Sequence, residues 1–401
     1  MSNQGGKTSY RVLYGKLFST LTRQYGIVHF SEIEDAIQNS FLKSVKKWSG
    51  DNEPKRKENW LYITARNDLL NQLKRKSKSS GLESFRTTNH SEAGSTDLRL
   101  DTILLVSSSN SISQKAKVIF VLKNIFGLSV REISDSTLIK DEAIYKMLKR
   151  SKESLQNEYR GKQTSEVLTN INKDEISTVE EILYAVFNSG FDSFNKTHKS
   201  LINKDLCLES FALTKILLSN YNQQSSTSNL LSLFCFHISR IDAKINEEKL
   251  IPFFNQDRSK WSKEMLNLGF HYLKRPRRIH RFYIEALIVS KYMSTDSYKI
   301  DFWNDVIKLY DILLQLSPSP IIQINYCFCL YKAHRKQEAI ELLEKLEKEL
   351  PSEHVYLSLL KAYVLNKTNP KKSEEITANV VSKMTQEIRQ KHLLECNFIN
   401  I

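Results

Sequence analysis

The chain has 401 residues, of which 40% are hydrophobic and 26% charged, a balance typical of soluble globular proteins with two or three domains. It holds only 11 glycines and 7 prolines, which argues against collagen-like folds, turn-rich all-β folds and large disordered arms. No apolar run approaches the roughly 18 residues that a membrane span needs, so we expect no membrane contact.

The five cysteines are scattered and form no Cys-x-x-Cys pair. The start, MSNQGGKTSYRV, lacks the apolar stretch of a secretory signal, so we expect a cytoplasmic protein without a disulfide framework or a zinc site. The histidines show no metal-ligand spacing, and no Gly-rich phosphate loop, His-Glu-x-x-His or Gly-x-Ser-x-Gly motif is present. We therefore expect no enzymatic activity, no metal and no cofactor.

The positive charge is concentrated in the first part of the chain. The formal net charge is +14; residues 1–160 hold 27 Lys and Arg against 17 Asp and Glu, whereas residues 161–401 hold 32 against 28. This distribution favours a polyanionic partner for the N-terminal part. Charge alone is also compatible with a basic soluble protein that has no such partner.

The N-terminal part predicts two amphipathic helices. Residues 31–48 carry apolar side chains at helical spacing, and Ser31 followed by Glu34 is typical of a capping box. A second helical pattern covers 58–76, after the breaker cluster SGDNEP. The apolar stripe predicted for the first helix consists of Ile33, Ile37, Phe41, Leu42 and Val45.

Residues 77–111 are rich in serine, threonine and asparagine, and they predict a mobile linker with one docked apolar piece. Three short helical patterns follow within 113–156, separated by Gly127 and by a second capping box from Ser129 to Glu132. Because the last of the three helices is basic, the segment is typical of a helix-turn-helix. A small helical bundle with an exposed basic helix is the alternative.

The C-terminal part predicts further helices. Residues 161–178 are polar and indicate a second linker, and amphipathic helical patterns continue from 179 onward. Pro318 and Pro351 lie 33 residues apart and bracket a helix, a basic turn and a second helix. This spacing is close to the tetratricopeptide period of about 34, so we expect an all-α protein that ends in a helical solenoid.

The motifs of the N-terminal part resemble those of a known family. DAIQNSF at 35–41, Trp48, and the run from Trp60 to Arg75 with its WL, ARN and LKR elements are similar to region 2 of extracytoplasmic-function sigma factors, members of the sigma-70 family of RNA polymerase subunits. The 113–156 segment, with SVREIS and AIYKMLKRSK, resembles sigma region 4, the helix-turn-helix that contacts the minus-35 promoter element.

Three more motifs resemble one subgroup of that family, in which the sigma core is fused to a tetratricopeptide-like C-terminal domain. They are EILYAVFNSGF at 181–191, NQDRSKW at 255–261 and SPSPIIQIN at 317–325.

The chain departs from the family at Asn39 and Asn71, where acidic residues are usual. It also has SSSN at 107–110, where members often carry Cys-Cys-His-Pro.

The resemblance implies five consecutive parts. The two linkers separate three folded parts, of which the last is the helical-repeat domain. The parts are sigma region 2 at 8–76, a linker at 77–111, sigma region 4 at 112–160, a linker at 161–178 and the tetratricopeptide-like domain at 179–401.

The resemblance also implies that the 31–48 helix binds the clamp coiled coil of the largest polymerase subunit. Without it, a solvated amphipathic helix is the simpler interpretation of this segment. The residues implied in polymerase binding are Asp35, Gln38, Phe41 and Lys43.

The 58–76 helix is implied to capture melted minus-10 DNA. Its cations can neutralise phosphates, its asparagine can hydrogen-bond a base edge, and its aromatic rings can stack on unpaired bases. The tryptophan is more often a core residue than a stacking platform. The implied residues are Trp60, Tyr62, Arg66, Asn67, Lys74 and Arg75.

The last helix of the 113–156 segment is implied to enter the major groove of minus-35 DNA with its N-terminal residues at base edges. Arg131 and Arg150 are better suited to phosphate, which positions the protein without reading sequence. The implied residues are Arg131, Lys140, Tyr145, Lys146, Lys149 and Arg150.

The sequence therefore predicts an alternative sigma factor with core RNA polymerase and promoter DNA as partners. A C-terminal regulatory domain would act either by contacting the sigma modules or by docking a regulatory protein on its concave face. The alternative is a tetratricopeptide scaffold whose N-terminal part binds nucleic acid without sequence preference.

Overall fold

A computed structural model describes residues 10–48, 53–80, 97–137, 139–192, 202–221, 224–246, 249–351, 354–383 and 390, without the side chains of 77–80 and 135. These residues are mostly helical, which confirms the all-α fold class. The strands among them form one short antiparallel pair, Ile245–Asn246 with Lys249–Leu250. The chain divides into two compact units, Met1–Ser189 and Gly190–Ile401.

The first unit contains helices α1 to α9, and α9 extends just past its end. Their bounds lie within a few residues of the predicted ones wherever the sequence predicted a helix. The helices are α1 Tyr10–Tyr25, α2 Phe30–Lys47, α3 Lys57–Ser80, α4 Arg99–Ser107, α5 Gln114–Asn124, α6 Val130–Thr137, α7 Asp141–Tyr159, α8 Thr164–Thr169 and α9 Lys173–Phe191.

The buried face of α2 differs from the predicted apolar stripe. Its isoleucines are buried as expected, but Leu42 and Val45 are 61% and 81% exposed. The buried face includes Ser40 and Ser44 instead. Both side chains are small, and α2 packs closely against α3. Each serine hydroxyl donates to the carbonyl three residues earlier at 2.7 Å, so neither polar group is left unsatisfied.

The start of α2 also differs from the prediction. The helix begins at Phe30 without a side-chain cap, so the capping box of Ser31 and Glu34 does not form. Glu34 is ion-paired instead with Lys152 of α7. The Glu34 carboxylate, which the local pattern assigned to capping the helix start, therefore forms a long-range ion pair instead.

Helices α5, α6 and α7 pack on one another as a three-helix unit, as the sequence predicts. The second capping box forms at the start of α6, where the Ser129 backbone N–H donates to Glu132 at 2.7 Å and the Glu132 N–H donates to the Ser129 hydroxyl at 3.2 Å. Gly127 follows α5 with a φ of +63°, a left-handed conformation that favours glycine. These local signals fix the turn between α5 and α6.

The two N-terminal modules pack against each other, although the sequence predicts that a linker separates them. The rings of Phe30 and Phe120 lie 4.9 Å apart in the core of this unit. Arg11 of α1 donates to Glu132 of α6 at 2.8 Å. The ion pair between α2 and α7 adds a further contact, so one core spans both modules.

Gly15 makes this close approach possible. A β-carbon at Gly15 of α1 would lie 1.8 Å from the carbonyl oxygen of Ile125, far inside van der Waals contact. A β-carbon at Gly127 would lie 2.9 Å from Cγ of Arg11. Two glycines thus bring α1 and the end of α5 into backbone contact.

Part of each predicted linker is helical. Within 77–111, helix α3 continues to Ser80 and α4 is largely buried, while residues 81–96 lie outside the described residues. Within 161–178, α8 and the beginning of α9 replace the expected loop. The first compact unit accordingly extends through the second predicted linker.

The second unit contains helices α10 to α19 and the short strand pair. The helices are α10 Lys204–Asn220, α11 Ser225–Ser239, α12 Ile241–Lys244, α13 Lys263–Tyr272, α14 Arg281–Met293, α15 Ile300–Leu316, α16 Pro320–Lys332, α17 Lys336–Glu349, α18 Val355–Leu365 and α19 Pro370–Lys383.

Aromatic packing dominates the core of the second unit. Trp303 is 1% exposed, and its Nε1–H donates to the Tyr298 carbonyl at 3.0 Å. In the NQDRSKW motif, the Arg258 guanidinium lies 4.6 Å from the Trp261 ring centroid and donates to the carbonyls of Tyr292 and Met293 at 3.2 and 3.0 Å. The motif therefore joins the segment before α13 to the end of α14.

Within the described part of the chain, every helix is too short or too polar to span a lipid bilayer. The same residues contain no group of three or more His, Cys, Asp or Glu side chains arranged to hold a metal ion. The cysteines that the structure describes are buried free thiols, and burial raises the pKa of each to about 12. They are Cys207, Cys235, Cys327 and Cys329; Cys396 lies outside the described residues.

Replacing Gly15 with alanine should destabilise the first unit. We expect a loss of about 1–3 kcal/mol, because the added methyl group must displace the Ile125 backbone. Denaturant unfolding of the full chain, followed by tryptophan fluorescence, measures the change. The control is Lys16→Ala, one residue further along α1 and only half-buried, which should change the free energy of unfolding by less than about 0.5 kcal/mol. Equal stability of the two variants would contradict the packing role of Gly15.

Candidate nucleic-acid interface

The N-terminal half of α7 exposes a cationic stripe, which we define as Lys140, Tyr145, Lys146, Lys149 and Arg150. All five side chains are exposed, and Tyr145 is 62% exposed. Four of them recur three or four residues apart and therefore share one side of the helix. The opposite side of α7 packs on α5 and α6. Cations around an exposed phenol ring can contact phosphates and base edges.

Arg131 of α6 lies close to the start of this helix. Its Nη1 is 4.0 Å from the carboxylate of Asp141, the first residue of α7. All six residues predicted to contact minus-35 DNA are therefore exposed, five in the cationic stripe and one on α6. Asp141 and Glu142 lower the net positive charge at the start of α7. At this end of the helix their carboxylates interact favourably with the helix dipole.

Helix α3 presents a second exposed face. Trp60, Asn67 and Lys74 recur every seven residues and lie on the same side as the exposed Ile63 and Arg75. The indole is half-buried, whereas the amide and the two cations are exposed. This combination of ring, amide and cations is suited to unpaired bases and their phosphates.

The position of Trp60 is compatible with both roles considered for it, core packing and stacking on a base. Its ring lies edge-to-face against Trp48, with centroids 5.3 Å apart, and the Lys57 ammonium lies 5.8 Å from the Trp48 ring. Trp60 thus closes one end of the α2–α3 pair and keeps part of its surface exposed.

Tyr62 and Arg66 do not join the exposed face of α3. The Tyr62 hydroxyl donates to Gln24 Oε1 at 2.8 Å, and Arg66 Nε donates to the Tyr25 hydroxyl at 3.0 Å. The bond to Tyr25 is also the main cause of the raised pKa of Arg66. The structure therefore ties these two predicted minus-10 residues to α1 and separates them from the other four.

Helix α2 exposes a mixed polar and apolar strip, which we call the α2 strip: Asp35, Gln38, Leu42 and Val45. These residues lie three or four positions apart and share the side of α2 opposite its buried face. Two adjacent exposed aliphatic side chains beside polar groups are typical of a protein-binding surface. Sequence reasoning assigned both aliphatic residues to the core; the small serines at 40 and 44, four residues apart, are the signal that could have shown otherwise.

The other two residues predicted to bind polymerase lie beside the strip. The Phe41 ring packs against Tyr10, with centroids 4.2 Å apart, and Lys43 Nζ lies 3.7 Å from Asp68 of α3. In the strip itself, partial burial and the neighbouring Glu34 carboxylate raise the pKa of Asp35. A cationic partner placed against Asp35 would relieve that repulsion and gain binding energy.

The chain is similar to proteins whose function is unknown. Residues 175–277 match the model of a family of unknown function, DUF6596. An uncharacterized protein of Rhizobium meliloti (strain 1021) is 23% identical over 341 residues, which cover 81% of this chain and 80% of that protein. Since neither compact unit makes up so much of the chain, this similarity extends across both. No solved structure matches the chain.

Replacing Lys146 and Lys149 with glutamine should weaken binding to duplex DNA of any sequence. Each lysine releases counterions when it contacts a phosphate, so the slope of log affinity against log salt should fall by about 2. A salt titration of fluorescence anisotropy on a labelled duplex measures the slope. The matched control is Lys345→Gln with Lys348→Gln on α17, which has the same charge change, spacing and exposure. An unchanged slope in the α7 variant would contradict the role of the cationic stripe.

Proposed function

We propose that this protein is an alternative sigma factor of the extracytoplasmic-function type. It binds core RNA polymerase through α2, captures melted minus-10 DNA through α3 and reads minus-35 DNA through α7. It acts as a binding protein rather than an enzyme, in the cytoplasm.

One observation carries the proposal. The faces of α2, α3 and α7 that carry most of the predicted contact residues remain exposed after each helix has buried its apolar face. Phe41, Tyr62 and Arg66 contact α1 instead. The cationic stripe carries the part of the motif that a helix-turn-helix directs at DNA. The α2 strip carries apolar side chains, which suit a protein partner better than a nucleic acid.

The proposal assigns a regulatory role to the second unit. Helix α16 packs on α15 and α17, and α18 packs on α19, so consecutive helices form the contacts expected of a tetratricopeptide-like solenoid. Such a solenoid presents a concave surface, on which we propose that a regulatory protein docks.

Promoter recognition requires the first unit to open. The minus-10 and minus-35 elements lie about 25 base pairs apart, or about 85 Å along the duplex. A compact chain of 189 residues has a radius of gyration of about 16 Å. The packed arrangement therefore cannot reach both elements, and the contacts between α1, α2 and the three-helix unit must separate.

Replacing Asp35 and Gln38 with alanine should weaken polymerase binding about tenfold and leave duplex DNA binding unchanged. Retention on immobilised core RNA polymerase and anisotropy on a labelled duplex measure the two activities. The matched control is Gln337→Ala with Glu341→Ala, an exposed pair on α17. Failure of the unaltered protein to bind polymerase, with DNA binding retained, would favour the scaffold alternative.

Reversing one charge of the pair between α2 and α7 should favour the open form. Lys152→Glu places two carboxylates together and should weaken the packing by about 2 kcal/mol, so promoter-dependent transcription with core polymerase should rise. Adding Glu34→Lys restores an ion pair and should return transcription toward its original level. If the double variant behaves like the single one, the pair does not hold the modules together.

A further inference from the structure

The second unit contains a cavity of about 520 Å³ that the proposed function does not use. Its walls come from α14, α15, α16 and α18 and from the segment after the strand pair. Seven phenylalanine and tyrosine side chains line it, together with aliphatic residues: Phe253, Phe254, Tyr292, Tyr310, Phe328, Tyr356 and Tyr363. Its size and its apolar walls are those of a pocket for a small molecule.

A single cation lies in the wall of this cavity among the residues that the structure describes there. Arg240, between α11 and α12, has its guanidinium carbon 4.9 Å from the Phe191 ring centroid and 5.1 Å from that of Phe253. Its Nη2 lies 3.4 Å from His237 Nδ1, at the limit of a hydrogen bond. Its Nε is shielded from solvent and has no hydrogen-bond partner among the described residues.

The nearby carboxylate of Asp192 has several partners. It lies 3.4 Å from Lys244 Nζ, accepts from the Tyr356 hydroxyl at 3.0 Å, and its charge also acts on Arg240. Burial lowers the pKa of Arg240 to about 10, which leaves it cationic at neutral pH. Burial, with the charges of Arg240 and Lys244, keeps the pKa of His237 well below its ordinary value, so the imidazole is neutral.

The described residues that line the cavity include Arg240 but no aspartate or glutamate, so an anionic group that enters the cavity would meet a cation there and no opposing carboxylate in the wall. A guanidinium presents its N–H groups as a fork that matches a planar or tetrahedral oxyanion. The surrounding rings match an apolar body, and the volume suits one small molecule rather than an extended chain.

We propose that the second unit binds a small organic acid, with its anionic group on Arg240 and its aromatic or branched apolar body among the rings of the cavity. This site stands independently of the proposed role in transcription. In a protein with that role, it would make the second unit a sensor of such an acid.

The test uses the full chain and two fluorescent probes with the same ring body. The first is 1-anilinonaphthalene-8-sulfonate, an aromatic anion; the second is N-phenyl-1-naphthylamine, which lacks the sulfonate. We expect the protein to bind one molecule of the anion, at least about tenfold more tightly than the neutral probe. Equal affinity for the two probes, or no saturable binding of the anion, would overturn the proposal.

Arg240→Gln should weaken anion binding about tenfold and leave the affinity for the neutral probe unchanged. The control is Arg278→Gln, an exposed arginine outside the cavity that undergoes the same charge change. Equal loss of anion binding in the two variants would mean that net charge attracts the probe, and the cavity would then not be the site.

A second variant keeps the test decisive if Arg240→Gln does not fold. Val289→Phe retains Arg240 and fills part of the cavity, so both probes should lose affinity. Anion-selective binding that persists unchanged in Val289→Phe would show that the probe binds elsewhere and that Arg240 only packs between its two aromatic neighbours.

Discussion

The missing side chain at Gly15 is the constraint on which the first unit depends. It lets α1 lie against the end of α5 at a distance that excludes even a methyl group. With the backbones so close, Phe30 and Phe120 share one core, and Arg11 reaches Glu132. A steric condition at one position therefore turns two small helical modules, each short of apolar surface, into one folded body.

That packing also decides which surfaces remain for partners. Helices α2, α3 and α7 each bury one face and expose the other, and their exposed faces differ in chemistry. The α2 strip is partly aliphatic, the α3 face combines a ring with an amide and cations, and the cationic stripe is mainly charged. If the protein acts on promoters, the few polar contacts between the modules set the energy of opening, which must stay small compared with a total stability of about 5–15 kcal/mol.

The second unit differs from the first in that aromatic side chains dominate its interior. Rings pack edge-to-face around Trp303, and large planar groups leave space where they cannot interlock. Cations enter this interior over ring faces: Arg258 lies over Trp261, and Arg240 lies between Phe191 and Phe253. The first of these donates to backbone carbonyls, whereas the Nε–H of the second has no hydrogen-bond partner among the described residues.

In the first unit the sequence by itself determined helices α2, α3, α5, α6 and α7, because spacing, glycine stops and capping residues act over only a few positions. The two capping boxes show where that ends: Ser129 and Glu132 form theirs, but Glu34 binds Lys152 of a helix more than a hundred residues away. Tertiary structure alone decided that Leu42 faces solvent and that two predicted linkers are partly helical. The physical reason is that the apolar pattern of a helix does not specify which element packs against it. That packing element decides which side chains of the helix are buried.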